Sequence, residues 1–432
     1  MKDNKKNLQV WRRLDNSAKI FPLSTGRRHS AVFRISVLLK EDIHLEILNK
    51  SLIEVLEKYE GFKVRLKRGF FWHYLEANTK KPIVVEEREY PCKYIDPKQN
   101  RGYLFKVTYY KNKINIDFFH ALTDGSSGMV FFRELVYTYL EKCYVDDLNR
   151  ENRILRKIDY DTEDSYLKNY NRKSKSDGEG KRAYKLKGGT IKLGAISVVH
   201  EIIDLKKLKE EAKKYDATIT QYLTAVLMYT IYKENYKKSK DKKPIKICIP
   251  VNLKKYFPSK TMSNFFSYIY VERKGKDLES ISFDDLVVFV KNEFDRQLQQ
   301  EEVLKIMSNN VKLGNNFFIK TIPLLLKIII VRLAYIEIRK YSTITFSNVG
   351  RVGIIGNYKD YIDYFLMLIA PDQYEGIKCS SCTFENSMVF TFTSILKDNN
   401  IEKGFYKFLT DKGIEVKIES NGVLDDISTE NK

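Results

Sequence analysis

The stretch that most constrains this chain is residues 114–125, INIDFFHALTDG. Apolar and polar residues alternate up to Phe118, the pattern of a strand with one covered face. Ile114, Ile116, Phe118 and His120 share that face. The strand ends at the histidine and a short turn follows. After Asp124 and Gly125, Met129, Phe132, Val136 and Tyr139 recur every three to four residues, as on a helix. A strand–turn–helix unit of this kind belongs to a layered α/β fold and projects the imidazole from a strand end into a cleft.

A chain of 432 residues exceeds one ordinary domain, and the pattern divides it in two. In the first half, residues 31–39 (AVFRISVLL) read as a strand and 43–59 as a helix that stops at Gly61. Residues 64–66 and 70–75, then 102–110 and 114–120, read as hairpins. Residues 149–189 turn polar and charged, with KSKSDGEG at 173–180, and read as a linker. The second half has strands at 197–205, 245–251, 267–271 and 341–348, and helices at 206–214, 219–232 and 283–298. Thr218 or Thr220 is expected to cap the second of these helices. Strands at 361–369, 377–385 and 388–396 are expected to complete an antiparallel sheet, before a last helix at 400–410. The expected organisation is an N-terminal α/β lobe over 1–150, a crossover linker over 151–189 and a C-terminal α/β lobe over 190–432.

Charge and cysteine content exclude several functions. The net charge is +20, from 76 Lys+Arg and 56 Asp+Glu, but the bases are interleaved with acids, as in KKLKEEAKK at 206–214. No basic run carries interleaved stacking aromatics, so a nucleic-acid partner is not expected. The positive field suits an anionic small molecule such as a CoA thioester. Five scattered cysteines fit a reducing compartment, and the start of the chain has no apolar signal core, so a cytoplasmic protein is expected. The CxxC at Cys379 and Cys382 has no second pair and falls in a strand, so no metal site is expected. Residues 322–336 (IPLLLKIIIVRLAYI) are the most apolar stretch, broken by Lys327 and Arg332 and short of the ~20 residues of a spanning helix. They read as a buried helix or a hydrophobic substrate wall, with peripheral membrane contact a minor alternative.

His120 is the residue with the most evident chemistry. A neutral imidazole takes a proton from a hydroxyl or an amine near neutral pH. Asp124 either orients that ring or fixes the loop by pairing with an arginine. The second is favoured, because across this turn the carboxylate points away from the ring. Gly125 removes a side chain where a substrate must pass close to the backbone. A serine hydrolase finds no support, since no GxSxG elbow is present.

His120, Asp124 and Gly125 form an HxxxDG motif that resembles the signature of the CoA-dependent acyltransferase superfamily. That superfamily includes chloramphenicol acetyltransferase, plant acyltransferases, peptide-synthetase condensation domains and alcohol O-acetyltransferases. The segments WRRLD (11–15), IPVNL (249–253) with FPS (257–259), NF (264–265) and FSNVG (346–350) are similar to the alcohol-acetyltransferase branch, in its order. The resemblance implies two chloramphenicol-acetyltransferase-like lobes with a tunnel between them. It makes His120 the general base that drives an alcohol directly onto a thioester, with no acyl-enzyme, and makes Asp124 architectural. Thr345, Ser347 and Asn348 become candidates for oxyanion or substrate contacts. Acyl-CoA, most simply acetyl-CoA, is the implied co-substrate, with no tightly bound cofactor and no metal. The expected acceptor is a small, hydrophobic alcohol, and a monomer is expected. Two departures stand out. Phe119 replaces the histidine that precedes the catalytic one in many condensation domains, and the plant DFGWG motif is absent. N-acylation, carrier-protein-dependent condensation and a non-catalytic homologue are the alternatives.

Overall fold

The computed structural model of the protein describes residues 11–26, 29–145, 148, 160–172 and 180–424. Much of the expected crossover linker lies outside those residues. The described chain is a mixed α/β structure of three sheets. In the five-stranded sheet the strands run Ile362–Ile369, Val32–Leu39, Lys113–Phe119, Phe105–Tyr110 and Val84–Glu86. All neighbours in it are antiparallel except the last pair. The helices Leu45–Lys58 and Gly125–Cys143 pack together over it. Their apolar stripes, including Leu48, Leu52, Val55, Phe132, Leu135 and Val136, are buried.

The seven-stranded sheet is ordered Phe266–Arg273, Ile245–Asn252, Ile344–Arg351, Ile377–Phe384, Ser387–Ser394, Ser197–Asp204 and Val416–Ser420. It is mixed, because Ile344–Arg351 pairs in parallel with both its neighbours. The helix Ile219–Glu234 is buried on nearly every side beneath it. Its start is fixed by a capping box, in which Thr218 accepts from Gln221 N–H while the Gln221 side chain accepts from Thr218 N–H. A small sheet joins Trp11–Arg13, His73–Ala77 and Val64–Arg68.

Sheet membership crosses the sequence midpoint. Strand Ile362–Ile369, expected in the same sheet as 377–396, pairs instead with Val32–Leu39 at the edge of the N-terminal sheet. Its buried residues Phe365, Leu366, Met367 and Leu368 join the N-terminal core, as do Cys382, Phe384 and Val389 of the other sheet. The CxxC cysteines therefore separate. Three residues apart on a strand they face opposite ways, Cys379 into the C-terminal core and Cys382 into the N-terminal one. No group of His, Cys, Asp and Glu among the described residues is arranged to hold a metal ion.

The apolar helix Leu324–Ile338 corrects the expectation of a buried element. Only Leu324 and Lys327 are fully buried in it, while Leu325, Leu326, Ile329, Ile330 and Leu333 face outward. The described chain places no element over that side.

Two carboxyls in the C-terminal core lack a side-chain partner among the described residues. Glu201 and Glu402 are buried, and none of their side-chain oxygens is hydrogen-bonded among the described residues. Burial holds the Glu402 carboxyl up at about 7. Glu201 is raised too, by burial and by Glu402. A raised folded-state value stabilises the protein fully below the unfolded pKa, and that contribution is lost as pH rises through about 7. Replacing Glu402 by Gln should flatten the decline. In denaturant titrations, wild type should lose up to roughly 3 kcal/mol relative to the variant between acidic and neutral pH. Parallel pH profiles for the two proteins would contradict this account.

Candidate active site

His120 stands one residue beyond the end of strand Lys113–Phe119, where its N–H still bonds to Ala31 O at 2.9 Å. The ring is packed among aromatics: Phe21 stacks on it at 4.7 Å between centroids, Phe33 lies at 4.9 Å and Phe266 at 5.4 Å. Phe21 and Phe33 come from the N-terminal half and Phe266 from the C-terminal half, so the ring sits at the seam.

The polar edge of the ring is set by Asn264. His120 Nδ1 lies 3.0 Å from Asn264 Oδ1. Both hydrogens of the Asn264 amide are committed elsewhere, to Asp15 Oδ2 at 3.0 Å and to His120 O at 2.9 Å. The atom facing the imidazole is therefore the amide oxygen, which only accepts, so Nδ1 carries the proton. The network thus assigns the Nδ1–H tautomer and leaves a lone pair on Nε2. Nε2 has no protein partner among the described residues. Asp15 in turn accepts from Asn264 N–H at 3.1 Å and from Ala18 N–H at 2.8 Å. Burial raises the Asp15 carboxyl to about 6. Burial also lowers His120 below its ordinary 6.5, against the hydrogen bond to Asn264 and the charge of Asp124, so the ring is neutral at pH 7.

Among the described residues, Asp124 makes no hydrogen bond to the ring and pairs with no arginine. It caps helix Gly125–Cys143, accepting from Ser127 N–H and Ser126 Oγ–H at 2.8 Å each. Its other oxygen accepts from Phe265 N–H at 2.9 Å, across the seam. Two backbone N–H groups and the Ser126 hydroxyl take the place of the expected arginine. Thr123 adds a second bond across the seam, to Met262 O at 2.8 Å. Gly125 lies so close to the second half that a Cβ would come within 3.2 Å of Met367 and 3.3 Å of Val349.

These residues face a cavity of about 2300 Å³ between the two halves. That is larger than a pocket for one small ligand, which is typically about 300–1,000 Å³. His120, Asp124, Gly125, Thr345, Ser347 and Asn348 all line it. The last three stand differently. The Thr345 hydroxyl is committed to the Glu375 carboxylate, 3.0 and 3.1 Å from its two oxygens. Asn348 donates to Thr220 Oγ1 at 2.9 Å and accepts from Gly350 N–H at 2.8 Å, which ties the strand to a helix start. Ser347, half-buried, has no protein hydrogen bond among the described residues.

The sequence reading passed over Asp15 and Asn264 as chemistry. Both lie in segments noted only for their family likeness, since a lone Asp and a lone Asn separated by 249 residues give no local pattern. Tyr268 was also missed. It follows Phe266 on the same strand face and lines the cavity.

Comparisons with known proteins bear on the fold. Residues 189–282 match the family model of alcohol acetyltransferases. No curated protein sequence matches the chain. Among solved structures, TRI101 of F. graminearum, crystallised with coenzyme A and T-2 mycotoxin, superposes with a TM-score of 0.63 at 11% identity, covering 91% of this chain and 96% of that one. TRI3 trichothecene 15-O-acetyltransferase of Fusarium sporotrichioides gives 0.58 at 11% identity, covering 93% and 94%. The first condensation domain of the CDA synthetase gives 0.61 at 10% identity, covering 94% and 97%. The chain has the two-lobed fold of the CoA-dependent acyltransferases. In this acyltransferase fold the HxxxDG segment and the matched residues 189–282 meet at one seam, through Asn264, Phe265 and Met262.

The tautomer assignment is testable without any activity. In a ¹⁵N NMR titration, His120 should show protonated Nδ1 and unprotonated Nε2 at neutral pH, with a midpoint below 6.5. Replacing Asn264 by Ala should mix the two tautomers. An unchanged ¹⁵N pattern in that variant would remove Asn264 from this role.

Proposed function

We propose that the protein is an acyl-CoA-dependent acyltransferase that moves an acyl group, in the simplest case acetyl, to an alcohol. The observation that carries this reading is the locked imidazole: Nδ1–H held by Asn264, Nε2 unengaged, on the wall of an inter-lobe cavity. The matched alcohol-acetyltransferase segment and the coenzyme A bound in a neighbour of the same fold support the donor.

In this mechanism the acceptor hydroxyl lies against His120 Nε2. Its proton passes to Nε2 as the oxygen attacks the thioester carbonyl. The tetrahedral oxyanion then collapses, the C–S bond breaks, and the imidazolium returns the proton to the leaving thiolate. No acyl-enzyme forms, because the base needs no protein nucleophile. The Asn264–Asp15 chain keeps Nδ1 protonated throughout and offsets the positive charge that develops on the ring. Packing by Phe21, Phe33 and Phe266 holds the ring in place as its Nε2 takes up and returns the proton.

The oxyanion needs a donor about 3 Å away. Thr345 is a poor candidate because its hydrogen is held by Glu375. Ser347 and Tyr268 line the cavity with hydroxyls that no described protein group engages, and one of them fits the role. The net charge of +20 favours a polyanionic donor such as CoA.

Release of CoA from acetyl-CoA in the presence of a panel of alcohols and amines tests the reading. Replacing His120 by Ala should lower kcat by about 10²–10⁴-fold or more. Turnover with amines alone would overturn the ester-forming assignment. Intact CoA binding without release across the panel would favour a non-catalytic protein. Activity should rise with pH to a plateau whose lower limb lies below 6.5, since protonation of His120 removes the base.

The oxyanion assignment has its own test. Ser347→Ala or Tyr268→Phe should cost about 10²–10³-fold in kcat with little change in KM. Thr345→Val should act on stability instead, by leaving the buried Glu375 short of a donor. A kcat loss confined to Thr345→Val would reverse the assignment.

A further inference from the structure

The helix Leu324–Ile338 reads LLLKIIIVRLAYIEI and is apolar on almost every side. Helices of that kind are normally surrounded by protein or by lipid. Here protein covers one side only. Leu324 and Lys327 are buried, and Val331 and Tyr335 line the His120 cavity. Leu325, Leu326, Ile329, Ile330 and Leu333, spaced along one helical face, are between 50% and 66% exposed.

The exposed face adjoins a second element. The turn between strands Val64–Arg68 and His73–Ala77 is fastened to the helix start: Leu324 N–H donates to Phe70 O at 2.9 Å and Lys327 Nζ to Phe71 O at 2.9 Å. The Lys327 ammonium also lies 3.7 Å from the Trp72 ring centroid. At that turn Phe70 is 73% and Phe71 43% exposed. Two exposed aromatic rings at a hairpin tip thus stand at the start of the helix that bears the five exposed aliphatic side chains. Isolated exposed apolar residues are ordinary, but a grouping of this size marks an interaction site.

Charge identifies the partner. Lys67 and Arg68 stand on the hairpin, with Lys67 3.8 Å from Glu76, and Lys320 precedes the helix, while Arg332 is turned back to the carbonyls of Leu23 and Thr25 at 3.1 and 3.3 Å. The acid of the helix, Glu337, lies near its far end and is neutralised by Arg182 and Lys340, at 2.5 and 2.8 Å. The chain as a whole carries +20. An apolar face rimmed by cations complements an anionic lipid surface. It suits a second copy poorly, because a two-fold contact would set the two cationic rims against each other. The helix is 15 residues and about 22 Å long. No described helix is long and apolar enough to cross a membrane, so contact would be in the plane of the interface.

We propose that this face seats the protein on an anionic membrane surface. Helix Leu324–Ile338 lies flat with its outer side chains among the acyl chains, Phe70 and Phe71 enter at one end, and the flanking cations meet lipid phosphates. The inner side of the same helix walls the His120 cavity, so docking would set that cavity beside the bilayer.

Co-sedimentation of the full chain with phosphatidylcholine vesicles, with and without phosphatidylglycerol, tests the proposal and does not depend on the enzymatic reading. The protein should pellet with the anionic vesicles, and added salt should release part of it. Leu326→Glu with Ile330→Glu should weaken partitioning at least about tenfold. Phe70→Ser with Phe71→Ser, on a different element, should weaken it independently. Thermal melts of both variants should match wild type, because the replaced side chains are at the surface. Wild type remaining in the supernatant with anionic vesicles overturns the proposal. So does a dimer in sedimentation velocity that the helix variant splits while vesicle binding is absent, which would make the face a contact between copies.

Discussion

The structure around His120 depends on one side chain, that of Asn264. Its amide uses every hydrogen-bonding direction across the seam: oxygen to the imidazole, one hydrogen to Asp15, the other to the main chain of His120. Asn264 comes from the second half of the chain, Asp15 and His120 from the first. Closing the halves and fixing the imidazole tautomer are therefore the same event. A buried amide that loses a partner costs about 1–3 kcal/mol, so the correct tautomer is stabilised by the packing of the whole seam. Thr123 to Met262 and Asp124 to Phe265 repeat the pattern on either side, each joining the histidine loop to the segment that carries Asn264.

The surroundings of the ring favour its neutral, proton-accepting form at neutral pH. Aromatic packing lowers its proton affinity by burial, and the bond to Asn264 opposes that loss without adding a charge. A carboxylate in place of Asn264 would raise the imidazole further and keep more of it protonated, a poorer state for a base. The charge in the chain sits one residue away, at Asp15, whose own carboxyl is pushed up by burial. Across the cavity, half-buried Arg339 pairs with Glu375 and Asp372, and Glu375 holds the Thr345 hydroxyl. Ser347 and Tyr268 line the same cavity with hydroxyls that have no protein hydrogen bond among the described residues.

Local pattern made most elements legible. The strand ending at residue 119, its helix, the Thr218 cap and the buried helix of residues 219–234 follow from periodicity and capping chemistry. Strand Ile362–Ile369 was legible as a strand but not in its sheet, because pairing with Val32–Leu39 is decided by packing more than three hundred residues away in sequence. Helix Gln300–Asn315 went unread, although Val303, Met307 and Val311 recur every four residues and are all buried. Helix Leu324–Ile338 was read correctly as a helix, yet hydrophobicity alone could not say whether protein covers it. At the site, the histidine was visible because motif and strand coincide, whereas its partners were not. The Asp15–Asn264 bond joins residues with no periodic relation, and such bonds exist only once the fold has formed.

The spacing within HxxxDG has a folding explanation that does not require each residue to act on a substrate. The histidine must end a strand to reach the seam, and the next helix must start soon enough to pack over that strand. Three residues of turn bring the chain to the helix N-terminus, where the exposed backbone donors call for a capping carboxylate. Asp124 meets that need with one oxygen and ties down Phe265 with the other. Gly125 then lets the first turn of the helix approach Met367 and Val349, which a Cβ would crowd. The acid and the glycine thus follow from where the histidine has to stand, and the spacing between them is set by the turn that joins strand to helix.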